Sequence, residues 1–219
     1  MEGKRENKTA VIFDLDGTLL NTLFDLADSV NWALQKYNMP LRSVEEVRAF
    51  VGNGLRNLMD QAVPEGEKNP VFETLFEEFR EYYKRHCNIK TAPYEGIMEL
   101  LEKLKEQGHP MAIVSNKIDS GVKELNEIHF SDYVEVAIGE REGIARKPAP
   151  DSVFEALRLL GVAKENAVYV GDSDVDIQTA NNADVKCITV LWGFRDAEFL
   201  AEHGAKVMIQ NPLELLEYL

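Results

Sequence analysis

The sequence predicts an α/β protein, a doubly wound parallel sheet with an inserted α-helical segment. Three observations predict it. Short apolar runs rich in β-branched residues recur along the chain. Amphipathic segments of helical spacing, several closed by glycine, separate the later runs. Residues 20–88 break this alternation and hold no convincing strand.

The elements follow in order. Ala10 to Phe13 is wholly apolar, as expected of a strand buried on both faces. After it, Leu23, Leu26, Val30, Leu34 and Tyr37 recur at helical spacing. Ser43-Val44-Glu45-Glu46 reads as a capping box. Val71, Phe72, Leu75, Phe76, Phe79, Tyr82 and Tyr83 form a second helical stripe. Alternation resumes near Pro93. Helices are expected over Glu95 to Gln107, stopped by Gly108, over Ser120 to Ile128, over Ser152 to Leu160, stopped by Gly161, and over Asp176 to Ala183. Strands are expected at Met111 to Val114, Val134 to Ile138, Ala167 to Val170 and Cys187 to Val190. Residues 1–19 and 89–219 thus form the expected core and 20–88 the helical insert. The alternative is one or two long crossover helices.

Bulk properties exclude several functions. The 219 residues carry a formal net charge of −14. Phosphate backbones demand a basic face, so nucleic acid is not an expected partner; the charge argues against an anionic membrane surface as well. A small anionic substrate stays possible, because a local cation can outweigh the global field. No run of about 18 apolar residues spans a membrane. Residues Met1 to Asn7 lack the apolar core of a signal peptide. Cys87 and Cys187 lie far apart with no metal-type spacing, which fits a reducing cytoplasm. His86, His109, His129 and His203 are scattered without ligand spacing.

Ligands of open parallel sheets bind at the C-terminal ends of the strands. The first strand is followed by Asp14, Leu15, Asp16, Gly17 and Thr18. The second is followed by Ser115, Asn116 and Lys117, the third and its loop by Lys147-Pro148, and the fourth by Gly171, Asp172, Ser173, Asp174 and Asp176. Residues i and i+2 of a strand share a face, so Asp14 and Asp16 can meet one ligand while Leu15 enters the core. Gly17 permits a sharp turn. Clustered carboxylates repel unless a cation or shared proton relieves them. Asp14, Asp16, Asp172 and Asp176 therefore make a candidate hard-oxygen site suited to Mg²⁺, and Lys147 and the Ser115 hydroxyl suit a phosphate. A metal-bound carboxylate can attack phosphorus, and its neighbour can carry the leaving group's proton.

In order and type, Asp14-Leu15-Asp16-Gly17-Thr18, Ser115-Asn116, Lys147-Pro148 and Gly171-Asp172-Ser173-x-x-Asp176 resemble the four motifs of the haloacid dehalogenase superfamily. The resemblance covers essentially the whole chain. It implies a Rossmann-like core and likens the insert to a C1-type cap. Val51-Gly52-Asn53-Gly54-Leu55-Arg56, Ser115-Asn116-Lys117 and Trp192-Gly193-Phe194-Arg195 are similar to the phosphoglycolate phosphatase branch. The resemblance implies Asp14 as nucleophile and Asp16 as general acid and base. It implies Mg²⁺ on Asp14, the Asp16 backbone carbonyl and Asp172, with Asp176 in support. Thr18, Ser115 and the Asn116 backbone would bind substrate, and Lys147 would balance charge. Asp16 argues against a true dehalogenase, whose chemistry needs no second acid. Asn21-Thr22 departs from the acidic residue or Asp-Ser that many close relatives carry there, which bears on specificity.

The expected activity is Mg²⁺-dependent hydrolysis of a small phosphorylated metabolite through an aspartyl-phosphate, with 2-phosphoglycolate leading. In this reading Gly52, Asn53 and Gly54 form a cap loop that presents Arg56 to a substrate carboxylate. The loop's other reading is a plain helix–helix connection. Rivals sharing the motifs are other sugar-phosphate or nucleotide phosphatases, a pyrophosphatase and a β-phosphoglucomutase-like enzyme. A receiver-like phospho-aspartate switch lacks the Asp-x-Asp-Gly-Thr pair and the insert. A catalytically silent binder would be attractive only if a motif residue were missing.

Overall fold

A computed structural model describes residues 8–52 and 54–219. The chain forms two compact units. One holds the chain up to Leu20 together with Pro93–Leu219, and the other holds Asn21–Ala92.

The first unit is built on a six-stranded sheet. Its strands are β1 (Ala10–Phe13), β2 (Met111–Ile118), β3 (Val136–Glu140), β4 (Ala167–Gly171), β5 (Lys186–Val190) and β6 (Met208–Ile209). Their spatial order is β3-β2-β1-β4-β5-β6, and every pairing is parallel. The strand order reverses at β1, where crossovers leave to opposite sides and open a crevice at the strand ends. Alternate residues of β1 explain the doubly wound form. Val11 and Phe13 pack into one apolar cluster, and Ala10 and Ile12 into another. All four are fully or almost fully buried.

The other unit contains α1 (Leu23–Lys36), α2 (Val44–Phe50), α3 (Gly54–Ala62) and α4 (Phe72–His86). Leu23, Leu26, Val30 and Leu34 are the buried stripe of α1. Ser43 and Glu46 make the reciprocal capping box that starts α2. Phe72, Leu75, Phe76, Phe79 and Tyr83 are the buried stripe of α4. Tyr82 departs from the expected stripe: it stacks between Trp32 at 4.0 Å and His86 at 3.8 Å. This unit reaches Ala92, past residue 88, because the buried Asp25 carboxylate accepts from the backbone amides of Ile89, Lys90 and Thr91.

Among the described residues, five further α-helices flank the sheet: α5 (Ile97–Gln107), α6 (Asp119–His129), α7 (Asp151–Leu160), α8 (Asp174–Ala183) and α9 (Ala197–Glu202). α5 and α6 bury Leu100, Leu101, Leu104, Val122 and Leu125 in the cluster that holds Phe13. α7 and α8 bury Val153, Ala156, Leu157 and Ala180 in the cluster that holds Ile12. Gly108 and Gly161 end α5 and α7 in the left-handed conformation. No described helix is long and apolar enough to cross a membrane.

Candidate active site

Register brings the motif residues to one rim. Phe13 pairs with Ile113 and with Val170, so the residues that follow β1, β2 and β4 emerge side by side. The Asp14 amide donates to the Val170 carbonyl at 2.8 Å, which holds the end of β1 against β4. Leu15 is fully buried between two aspartates. Its carbonyl accepts the amides of Leu19 and Leu20, folding the chain sharply back. Gly17 makes that turn at φ +95°, and a Cβ there would stand 2.5 Å from Asp172 Oδ2. Only glycine lets this turn lie against that carboxylate.

Asp14, Lys147, Asp172 and Asp176 are all buried. Lys147 Nζ donates to Asp14 Oδ1 at 2.6 Å, to Asp176 Oδ1 at 2.8 Å and to the Tyr169 hydroxyl at 3.0 Å. Tyr169 in turn donates to Asp176 Oδ1 at 2.9 Å. Asp176 Oδ2 accepts from the Ser173 hydroxyl at 2.6 Å and from the amides of Asp172 and Ser173. Both oxygens of Asp176 are thus engaged, and Ser173 caps α8 through the same residue. Asp172 Oδ2 accepts the Phe194 amide at 2.7 Å, and Oδ1 accepts the Thr18 hydroxyl at 3.3 Å.

The electrostatics follow from burial and from one shared lysine. Burial pushes the Asp14 carboxyl well above its ordinary range; the Lys147 ammonium opposes this, and Asp176 and Asp172 add to it. Burial, with repulsion from Asp176, raises Asp172 to about 7 despite the Phe194 amide. Asp176 feels the same burial, but Lys147, Ser173 and Tyr169 outweigh it and hold the group below its ordinary value. Lys147 loses hydration too, yet Asp14 and Asp176 keep its ammonium strongly charged.

Asp14, Asp172 and Asp176 each offer an oxygen within 4.8 Å of the others. Three buried carboxylates beside one bonded lysine are short of positive charge. Hard, anionic oxygens of this kind fit a divalent cation such as Mg²⁺. The Asp16 carboxylate is not one of these three; the family resemblance implies that Asp16 meets the metal through its backbone carbonyl. The Asp16 carboxylate accepts from Lys117 Nζ at 3.2 Å.

Other expected residues take particular places. The Asn116 side chain clamps the Lys147 backbone, accepting its amide at 2.9 Å and donating to its carbonyl at 3.1 Å. The buried Ser115 hydroxyl accepts the Lys117 amide at 3.1 Å. Thr18 is buried, and its carbonyl accepts the Trp192 indole at 2.9 Å. In the insert, Gly52 and Gly54 adopt positive φ at +129° and +81°, and Asn53 lies outside the described residues. Arg56 is engaged within its own unit. It donates to Glu67 at 2.6 Å and bidentately to Glu73, and it lies over the rings of Phe72 and Phe76.

Sequence reading missed Tyr169 and the bond between Lys117 and Asp16. Tyr169 is the only polar-tipped residue in the run Ala167 to Val170, a signal that could have singled it out.

Buried carboxylates gathered around one lysine, at the strand-order reversal of a parallel sheet, mark the place where α/β enzymes bind their ligands, and these three carboxylates could hold a metal ion. Residues 11–190 match the family model described as "Haloacid dehalogenase-like hydrolase". The phosphoglycolate phosphatase of Aquifex aeolicus is 32% identical over 84% of this chain and 85% of its own. The N-acetylmuramic acid 6-phosphate phosphatase of Pseudomonas aeruginosa is 29% identical over 99% of this chain and 96% of its own. Among solved structures, a candidate phosphoglycolate phosphatase from Lactobacillus delbrueckii subsp. bulgaricus superposes with a TM-score of 0.91. It is 36% identical and covers 97% of this chain and 98% of its own. The chain belongs to the haloacid dehalogenase-like hydrolases, on their phosphoglycolate phosphatase-like branch. It is an enzyme of the phosphatase class.

Proposed function

We propose that this enzyme hydrolyses the phosphate ester of a small metabolite through an aspartyl-phosphate on Asp14, with 2-phosphoglycolate as the leading substrate. One observation carries the reading: Lys147 bridges Asp14 and Asp176 in a carboxylate cluster short of positive charge. An anionic phosphoryl group can sit beside Asp14 only if cations offset both. Asp14, Asp172 and the Asp16 backbone carbonyl would hold Mg²⁺, with Asp176 supporting through Ser173 and Lys147. When bound, Mg²⁺ supplies charge neutralisation to the transferring phosphoryl group.

The residues then divide the work. Asp14 attacks phosphorus, and the bond to the ester oxygen breaks. Asp16 gives its proton to that oxygen, so the alcohol leaves neutral. Asp16 next takes a proton from water, which attacks the phosphorus of the aspartyl-phosphate and restores Asp14. Ser115, Thr18 and the Asn116 backbone line the phosphoryl site. Asn116 also holds Lys147 in place through its side chain. The helical insert serves as the cap that selects the substrate. The chain's two cysteines, Cys87 and Cys187, stand far apart in sequence, which fits work in a reducing cytoplasm.

The test is phosphate release from 2-phosphoglycolate, N-acetylmuramic acid 6-phosphate and a nucleotide monophosphate, in Mg²⁺ and in EDTA, with Asp14→Asn alongside. Mg²⁺-dependent turnover that Asp14→Asn lowers by at least about 10³-fold supports the nucleophile. Full activity of Asp14→Asn refutes it. The ranking of esters decides the substrate.

A further inference from the structure

We infer that Lys117 is the residue that selects a carboxylate on the leaving group. The inference rests on the proposed phosphatase mechanism and names the substrate feature that it reads.

The argument starts from the end of β2. Its pairing with β3 loses register between Val114 and Ile118, so Ser115, Asn116 and Lys117 sit in an irregular strand end. Irregularities of this kind re-aim side chains beside active sites. Here Ser115 accepts the Lys117 amide, Asn116 meets the Lys147 backbone and Lys117 meets Asp16. The Lys117 side chain is only 6% exposed, and its ammonium stands 3.2 Å from Asp16 Oδ1. A cation so nearly buried needs anionic company.

The phosphoryl chemistry does not use Lys117, because Lys147 already serves Asp14 and Asp176. The position of Lys117 gives it another task. Asp16 hydrogen-bonds the ester oxygen when it protonates the leaving group. An ammonium on Asp16 then stands at most about two hydrogen-bond lengths plus the width of the carboxyl group from that oxygen. In 2-phosphoglycolate the carboxylate carbon is two bonds from the same oxygen. An ammonium has three donors and can bridge the Asp16 and substrate carboxylates together. A leaving group ending in a hydroxyl offers it no charge. Arg56, the other candidate carboxylate reader, spends its guanidinium on Glu67 and Glu73.

The experiment compares kcat/KM for 2-phosphoglycolate and 2-hydroxyethyl phosphate, esters of equal length that differ in the carboxylate. Both are measured with saturating Mg²⁺ on wild type, Lys117→Met, Lys117→Gln, Lys117→Arg and Arg56→Ala. Wild type should prefer 2-phosphoglycolate. Met or Gln at this position should shrink the preference about 10–100-fold, mostly through KM, as expected for loss of one charge-assisted hydrogen bond. Arg should retain most of it, and Arg56→Ala should leave the ratio within about threefold. A preference that survives both Met and Gln overturns the inference alone. So does an equal loss on both esters, which would make Lys117 a positioner of Asp16. A wild type that turns over neither ester, or that prefers the neutral one, overturns the 2-phosphoglycolate reading and this inference together.

Discussion

Replacing Asp172 with Asn should stabilise the metal-free protein while abolishing its activity. Asp172 is 1% exposed, and its carboxyl titrates at about 7 against 3.8 for a free aspartate. Burial is the main cause, with repulsion from Asp176 second. Between those two values the folded state binds more protons than the unfolded state, so stability falls as pH rises. Below about pH 4 the penalty is absent, and above about pH 7 it is complete. The gap corresponds to at most about 4 kcal/mol, and sharing among Asp14, Asp172 and Asp176 brings the expected value to about 2–4 kcal/mol. Asparagine removes the charge and still accepts the Phe194 amide, which now donates to Asp172 Oδ2 at 2.7 Å. The assay is urea unfolding in EDTA from pH 4 to 8. The stability difference between variant and wild type should open with rising pH and level off near pH 8. Saturating Mg²⁺ should then favour wild type, by about 2.7 kcal/mol at one hundred times Kd, and favour the variant much less. A difference that stays flat with pH, or a variant less stable than wild type at pH 8 in EDTA, refutes the reasoning.

Two other substitutions test the same cluster. Lys147→Met leaves Asp14, Asp176 and the Tyr169 hydroxyl without their shared donor. It should cost about 3–5 kcal/mol in urea unfolding at neutral pH and remove phosphatase activity; a cost under about 1 kcal/mol would show that the lysine is dispensable to the fold. Gly193→Ala would place a Cβ against Asp172 Cβ and 2.5 Å from both Asp172 Oδ2 and the Gly17 carbonyl. It should cost about 1–3 kcal/mol and weaken the Mg²⁺-induced rise in Tm by displacing Asp172; an unchanged Mg²⁺ response would count against Asp172 as a ligand.

Much of the fold is legible in the sequence because its causes are local. Apolar β-branched runs mark five of the six strands of the larger sheet, and Gly108 and Gly161 stop their helices where the chain must turn left-handed. β3 runs Val136–Glu140, two residues later than its apolar run suggests. Other elements gave no such signal, among them α3, α9 and the two-residue strands Leu20–Asn21, Ala92–Pro93 and Met208–Ile209. The strand Met208–Ile209 is too short to show a period; it exists because β5 offers an edge, and the Leu191 amide reaches the Ile209 carbonyl at 3.0 Å. α9, only six residues long, has the same difficulty.

The sequence by itself determined which residues stand at the strand ends, since hydrophobic run and following motif are adjacent in the chain. It marked Asp14, Asp16, Ser115, Lys147, Asp172 and Asp176 before any contact was known. Only the tertiary structure decided who meets whom. Lys147 reaches Asp14 across 133 residues, Lys117 reaches Asp16 across 101, and Thr18 reaches Asp172 across 154. It also decided that Asn116 clamps a backbone, that a tyrosine inside an aliphatic strand completes the lysine's shell, and that Arg56 belongs to Glu67 and Glu73. The physical reason is that periodicity reports how each segment is buried. Which charges share a buried space depends on strand order and register, and these emerge only when distant segments pack.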